Sequence, residues 1–153
     1  MKAQPDFHHV DVTIDARMPP RLIAVSDEAR RAIDGESHTI DRLPFRVGRE
    51  SRSPSGRMAS DAERRRGTVG QVNDVYLFED PLSSAHHISR EHFLIDAEHG
   101  LFYVVDRHSV CGTIVAGRTI GGDRTGGRIE LHDQDVIVAG TAASPYVYKF
   151  VVS

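Results

Sequence analysis

A chain of 153 residues, 39% hydrophobic and 27% charged, has the size and balance of one soluble globular domain around a single core. Its formal charge of -3 gives no bulk attraction to nucleic acid or to an anionic membrane, so neither is an expected partner and any anion site must be built locally. Its one cysteine, Cys111, excludes an intrachain disulfide. No apolar run is long enough to cross a bilayer as a helix, and Met1-Lys2-Ala3-Gln4-Pro5-Asp6 lacks the apolar core of a secretion signal. The expected location is the cytoplasm.

Residues 1–20 read as an N-terminal extension. Within it His9-Val10-Asp11-Val12-Thr13-Ile14-Asp15 alternates polar and apolar, the period of a half-buried strand. It ends at Pro19-Pro20, which blocks a sheet ladder. It reads equally as an extra edge strand, a flexible extension or a dimerising arm. Arg21 to Val25 is a strand. Ser26-Asp27-Glu28 is placed to cap one short helix through Ile33, and Asp34-Gly35 to stop it. Ser37–Ile40 and Pro44–Val47 are two further short strands.

From Glu50 to about Asn73 apolar periodicity disappears. Ser, Gly and Arg dominate, including the run Arg64-Arg65-Arg66. A loop this long inside a compact domain is uncommon. It is either a plain surface insert or a basic flap that adds contacts to an anionic partner. Strands resume at Val75–Phe78, near His92, and at Leu101–Val105. Shorter ones follow at Thr113–Val115, Arg118–Ile120, Arg128–Leu131, Val136–Ala139 and Tyr146–Val151. Glu98-His99-Gly100, Ala116-Gly117 and the glycine-rich Gly121–Gly127 are turns. Many short strands parted by Gly, Asp and Pro, with almost no helix, imply an all-β antiparallel sandwich or barrel. Such a fold gathers several loops at one end, where they can meet one ligand.

Three places put small polar or basic groups at strand boundaries: Gly48-Arg49, Ile88-Ser89-Arg90-Glu91-His92-Phe93, and Ser109-Val110-Cys111-Gly112-Thr113. In that order they resemble a forkhead-associated (FHA) domain, a module that binds phosphothreonine. The resemblance runs from about Leu22 to Val151, and the domain is expected over 21–153, with the basic stretch at about 50–73 inserted in it. It implies a β-sandwich with the recognition loops at one end. It also implies a non-catalytic function, recognition of phosphothreonine on a protein partner.

The chemistry of those residues fits that implication. A phosphate ester carries nearly two negative charges and needs several donors at once. Arg49 offers a planar fork suited to phosphate oxygens. Ser89 offers a hydroxyl and its own backbone N–H, and Arg90 a second positive charge. The resemblance makes His92, with Gly48, structural support that ties the loops together. It places Cys111 and Gly112 at the peptide-contact segment. Two residues depart from the family pattern. Cys111 and Ala116 stand where the family usually has asparagine, and a thiol or a methyl is a poor substitute for a carboxamide. A phosphate-independent assembly module with the same fold is therefore the alternative reading.

His86, His87 and His92 lie close in sequence. No His-Glu-x-x-His helix accompanies them and one cysteine cannot build a thiolate site, so no metal is expected. The chain has no Gly-x-Ser-x-Gly elbow and no glycine-rich nucleotide motif. Neither catalytic residues nor a cofactor are expected.

Overall fold

The computed structural model describes residues 19–51, 73–80, 82 and 86–152. The strand expected at His9–Asp15 and nearly all of the basic insert lie outside these residues.

Among the described residues one helix forms, α1 (Asp27–Ile33), and it follows β1 (Arg21–Ala24). Ser26 caps it: its Oγ accepts from the Ala29 N–H at 3.2 Å. Asp27 and Glu28 in the first turn and Arg30 and Arg31 in the last complement the helix dipole. Asp34, left-handed at φ 56°, ends it. Ala29 and Ile33 are its buried face.

The remaining strands are β2 (Ser37–Thr39), β3 (Phe45–Arg49), β4 (Val75–Leu77), β5 (Phe93–Glu98), β6 (Leu101–Asp106), β7 (Thr113–Val115), β8 (Arg118–Ile120), β9 (Gly127–Leu131), β10 (Val136–Ala139) and β11 (Val147–Val151). They form two sheets. One has the order β2-β1-β11-β10-β7-β8 and the other β4-β3-β5-β6-β9. The expected all-β sandwich is the fold. Alternating side chains turn inward from both sheets, among them Leu22, Phe45, Val47, Phe93, Ile95, Val104, Ile137, Tyr148 and Phe150, each 1% exposed or less. Tyr148 keeps its hydroxyl by donating to the Ala29 carbonyl at 3.3 Å, and burial pushes its pKa up.

One pair departs from the antiparallel expectation. β3 and β4 run parallel, with Val47 beside Val75 and Arg49 beside Leu77. A parallel pair needs a long crossover rather than a tight turn. The stretch between Arg49 and Val75 has the length for it. β3 also continues two residues past Val47, so Gly48 and Arg49 belong to the strand rather than following it.

Register then decides where the loops meet. Val47 pairs with Phe93, Phe93 with Asp106, Asp106 with Gly127, and in the other sheet Thr113 pairs with Ile120. These residues are strand ends or, for Val47, within two residues of one. The pairings therefore bring the end of β3, the start of β5, the β6–β7 loop and the β8–β9 loop to one edge of the sandwich.

Candidate functional site

The close approach of two backbones starts the site. Gly48 lies under the loop before β5. A Cβ on it would sit 2.0 Å from the Arg90 carbonyl oxygen and 2.6 Å from the Asn73 Nδ2. Only glycine leaves room for that oxygen. The Arg90 carbonyl accepts from Asn73 Nδ2–H at 2.9 Å. Asn73 Oδ1 in turn accepts from Arg107 Nη1 at 3.2 Å. Arg107 also pairs with Glu91 at 3.1 Å. The backbone of Arg90 is thereby fixed, while its side chain is exposed.

His92 has no exposed surface and joins two loops. Its Nδ1 accepts from the Ser89 N–H at 2.9 Å, and its Nε2–H donates to the Gly112 carbonyl at 2.6 Å. Those bonds require the neutral ring protonated on Nε2. Burial, opposed by the Gly112 bond and by the charges of Asp106 and Glu79, lowers the pKa of His92 below 6.5. The ring thus links the loop before β5 to the segment that opens β7.

The β6–β7 loop has a buried core of its own. Asp106 accepts from the Ser109 N–H at 2.9 Å, from Ser109 Oγ at 2.6 Å and from Thr113 Oγ1 at 2.7 Å. Ser109 Oγ accepts from the Gly112 N–H at 2.9 Å. All three side chains are buried. Gly121 leaves space for the same carboxylate, since a Cβ there would sit 2.3 Å from it.

On this frame lies an open cleft of about 380 Å³ lined by Arg49, Ser89, Arg90, Glu91, His108, Val110 and Arg124. Arg49 is anchored at both ends. Its N–H donates to the Ser89 carbonyl at 2.9 Å and its Nη1 to the Ile88 carbonyl at 3.2 Å. Among the described residues no other hydrogen bond is made by its guanidinium, whose remaining donors can meet an anion in the cleft. Ser89 Oγ accepts from the Val110 N–H at 3.0 Å, which leaves the hydroxyl proton to donate elsewhere. One expectation is corrected: the Ser89 N–H is held by His92 Nδ1 and does not serve a ligand.

The structure thus brings Arg49, Ser89 and Arg90 together. Cys111 and Gly112 stand beside this cleft rather than in its lining. The half-buried Cys111 thiol donates to the His86 carbonyl at 3.4 Å. Gly112 is buried, and its carbonyl accepts from both His92 and the Gly140 N–H. His86 faces Glu79 at 3.9 Å and His87 faces Thr141 at 3.1 Å, so the three clustered histidines point to separate partners. Among the described residues no group of His, Cys, Asp and Glu is arranged to hold a metal, and no helix is long and apolar enough to cross a membrane.

Sequence reasoning missed Asn73, Asp106, His108 and Arg124. Asn73 closes a stretch without strand pattern. Arg124 sits inside a glycine-rich turn. The Asp106–Ser109–Thr113 spacing was the available signal: two hydroxyls within seven residues after a strand-ending acid.

Similar folds occur in several solved structures. The yeast Pml1 splicing factor is 20% identical over 99% of this chain and 96% of its own, with a TM-score of 0.59. The kinase-interacting FHA domain of the Arabidopsis phosphatase KAPP is 20% identical over 88% and 93%, with a TM-score of 0.55. Mycobacterium tuberculosis EmbR, solved with a low affinity phosphopeptide, is 17% identical with a TM-score of 0.55; the match covers 94% of this chain and 28% of EmbR. No curated protein sequence matches the chain. The sequence model of the FHA domain matches residues 45–140. That span holds every cleft residue named above, and the chain belongs to the FHA domain family.

Proposed function

We propose that the protein is a non-catalytic interaction module that reads phosphothreonine on a protein partner. Arg49, Ser89 and Arg90 contact the phosphate, and Gly48, His92 and Gly112 hold the loops that present them. The observation that carries this reading is the free donor set on a fixed frame. The Arg49 fork, the Ser89 hydroxyl and the Arg90 guanidinium line one cleft, while the Ser89 N–H and the Ile88, Ser89 and Arg90 carbonyls are already engaged. Phosphate needs such converging charged donors, and preformed ones bind it without an ordering cost. EmbR was solved with a phosphopeptide, and FHA domains in general are interaction modules, which supports the same reading. Titration of matched phosphothreonine, phosphoserine and threonine peptides tests it. Binding is expected only with phosphate and best with phosphothreonine. Arg49→Ala should weaken it by about 2–5 kcal/mol, the cost of removing one partner of a charged pair. Unchanged affinity in that variant sinks the assignment.

A second reading, a phosphate-independent assembly module, is favoured by one feature. The Cys111 thiol is turned onto the His86 carbonyl instead of offering an amide to a peptide. Phosphatase treatment of the partner separates the two, since this reading predicts no loss of binding. Cys111→Asn is the companion variant. If phosphothreonine is read, restoring an amide there should strengthen binding by about 1–3 kcal/mol.

A further inference from the structure

The row of loops continues past the phosphate side of the cleft. Val110 donates its N–H to Ser89 Oγ on one side. On the other, its carbonyl accepts from the Asp123 N–H at 2.8 Å, and the Ser109 carbonyl accepts from the Arg124 N–H at 3.0 Å. The β8–β9 loop therefore lies against the β6–β7 loop just as the latter lies against Ser89. Asp123 and Arg124 both have left-handed backbone, at φ 51° and 60°, an unfavourable conformation for residues with a Cβ. The surroundings hold them there. Thr125 Oγ1 donates to the Gly122 carbonyl at 2.7 Å, and His108 Nδ1–H to the Arg124 carbonyl at 3.1 Å. Gly126 lies under the His108 ring, where a Cβ would be 3.0 Å from it. Strain maintained by such over-determination tends to occur where a side chain must be aimed. Here the aimed side chains are Arg124 and His108, both on the cleft.

Charge decides what they are for. Arg49, Arg90 and Arg124 bring three positive charges to the cleft, and none of them pairs with an acid among the described residues. The acid that also lines the cleft, Glu91, is taken by Arg107. One phosphate ester carries about 1.5 to 2 negative charges near neutral pH. The cleft therefore has positive charge to spare after one phosphate is seated.

We propose that Arg124, supported by His108, forms a second anion subsite. It takes a second acidic group of the same peptide, a phosphoryl or a carboxylate on a residue flanking the phosphothreonine. This rests on the phosphothreonine reading above and names the class of peptide selected.

The full chain would be titrated by fluorescence anisotropy with a phosphothreonine peptide library. Each member carries a second phosphoserine, an aspartate or an alanine at one of the flanking positions. Wild type is compared with Arg124→Gln and Arg49→Ala, with a thermal melt to show that each variant is folded. The expected result is a gain of about tenfold for a second acidic group at a defined position. Arg124→Gln should bring the ratio of the two affinities to about one, whereas Arg49→Ala lowers both affinities together. A gain from phosphoserine alone identifies the second group as phosphoryl. A gain from either admits the carboxylate. No gain in the wild type, or an Arg124→Gln variant that keeps the ratio, overturns the second subsite and leaves the phosphothreonine reading standing. Absence of binding to any phosphothreonine peptide overturns that reading and the subsite with it.

Discussion

The two flanks of Val110 hold their loops by different means. On the Ser89 side the parts are buried and mutually satisfied: His92, Ser109 and Thr113 have no exposed surface and Asp106 has 2%. Each hydrogen bond there closes on another, so a change at one member leaves a buried partner unpaired. On the far side, at the turn Gly121–Gly126, and likewise at the turn Ala116–Gly117 at the opposite end of β7 and β8, the residues are mostly exposed and the backbone is largely left-handed. Shape comes from φ rather than from side chains. The first flank therefore tolerates almost no substitution. The second tolerates many, provided that the new residue accepts the conformation.

Gly48→Ala breaks the first flank most severely. The added methyl meets a backbone oxygen at 2.0 Å, and that oxygen cannot rotate away as a flexible side chain would. Either β3 or the Ser89–Arg90 loop must move. A cost of about 3 kcal/mol or more is expected, the upper range for single substitutions. Binding should be lost even where the protein stays folded. Chemical denaturation with peptide titration checks both, and a variant of wild-type stability and affinity would show that this close approach is not a constraint.

Acid attacks the same flank through His92. The folded-state pKa lies below the 6.5 of an ordinary histidine because the buried ring resists charge. Below pH 6.5 the unfolded chain therefore takes up a proton that the folded protein refuses, and stability falls with pH in that window. Above it the contribution is complete. A proton on Nδ1 would also replace an acceptor by a donor facing the Ser89 N–H, so peptide affinity should fall in parallel. Unfolding measured from pH 7.5 down to 5 tests this, with His92→Gln as the comparison. If the two proteins lose stability with the same slope, His92 is not the titrating group.

The same contrast explains what was legible in the sequence. Gly48, Ser89 and His92 are needed as residue types: no Cβ, a hydroxyl, a ring with one donor and one acceptor. Such demands leave a short motif. The strands and the Ser26 cap were legible for a similar reason, since alternation and capping are local. The parallel pairing of β3 and β4 was not, because a burial pattern does not record strand direction. Nor were Asn73 and Arg107, whose bond joins residues far apart in sequence. Arg124 was hidden in a stretch that reads only as a turn. Its importance comes from the register that lays the β8–β9 loop beside Val110.

Ala116, at the opposite end of β7 from the cleft, gives the smallest expected effect and the plainest case of shape set by φ. It occupies left-handed backbone at φ 50° and Gly117 follows at φ 81°, in a two-residue turn between β7 and β8. This is the geometry that favours Asn-Gly. Alanine there costs about 1 kcal/mol, which asparagine partly recovers through local hydrogen bonds. Ala116→Asn should therefore stabilise the fold by about 0.5 kcal/mol, a rise in melting temperature of about 1–2 °C at this size. Ala116→Gly is the informative partner, because glycine relieves the strain without supplying an amide. Stabilisation by both with unchanged peptide affinity would mean that asparagine suits this position for its backbone alone. Stabilisation by both with tighter binding only for asparagine would mean that the turn also reaches the ligand, and that peptide selection extends to the opposite end of β7.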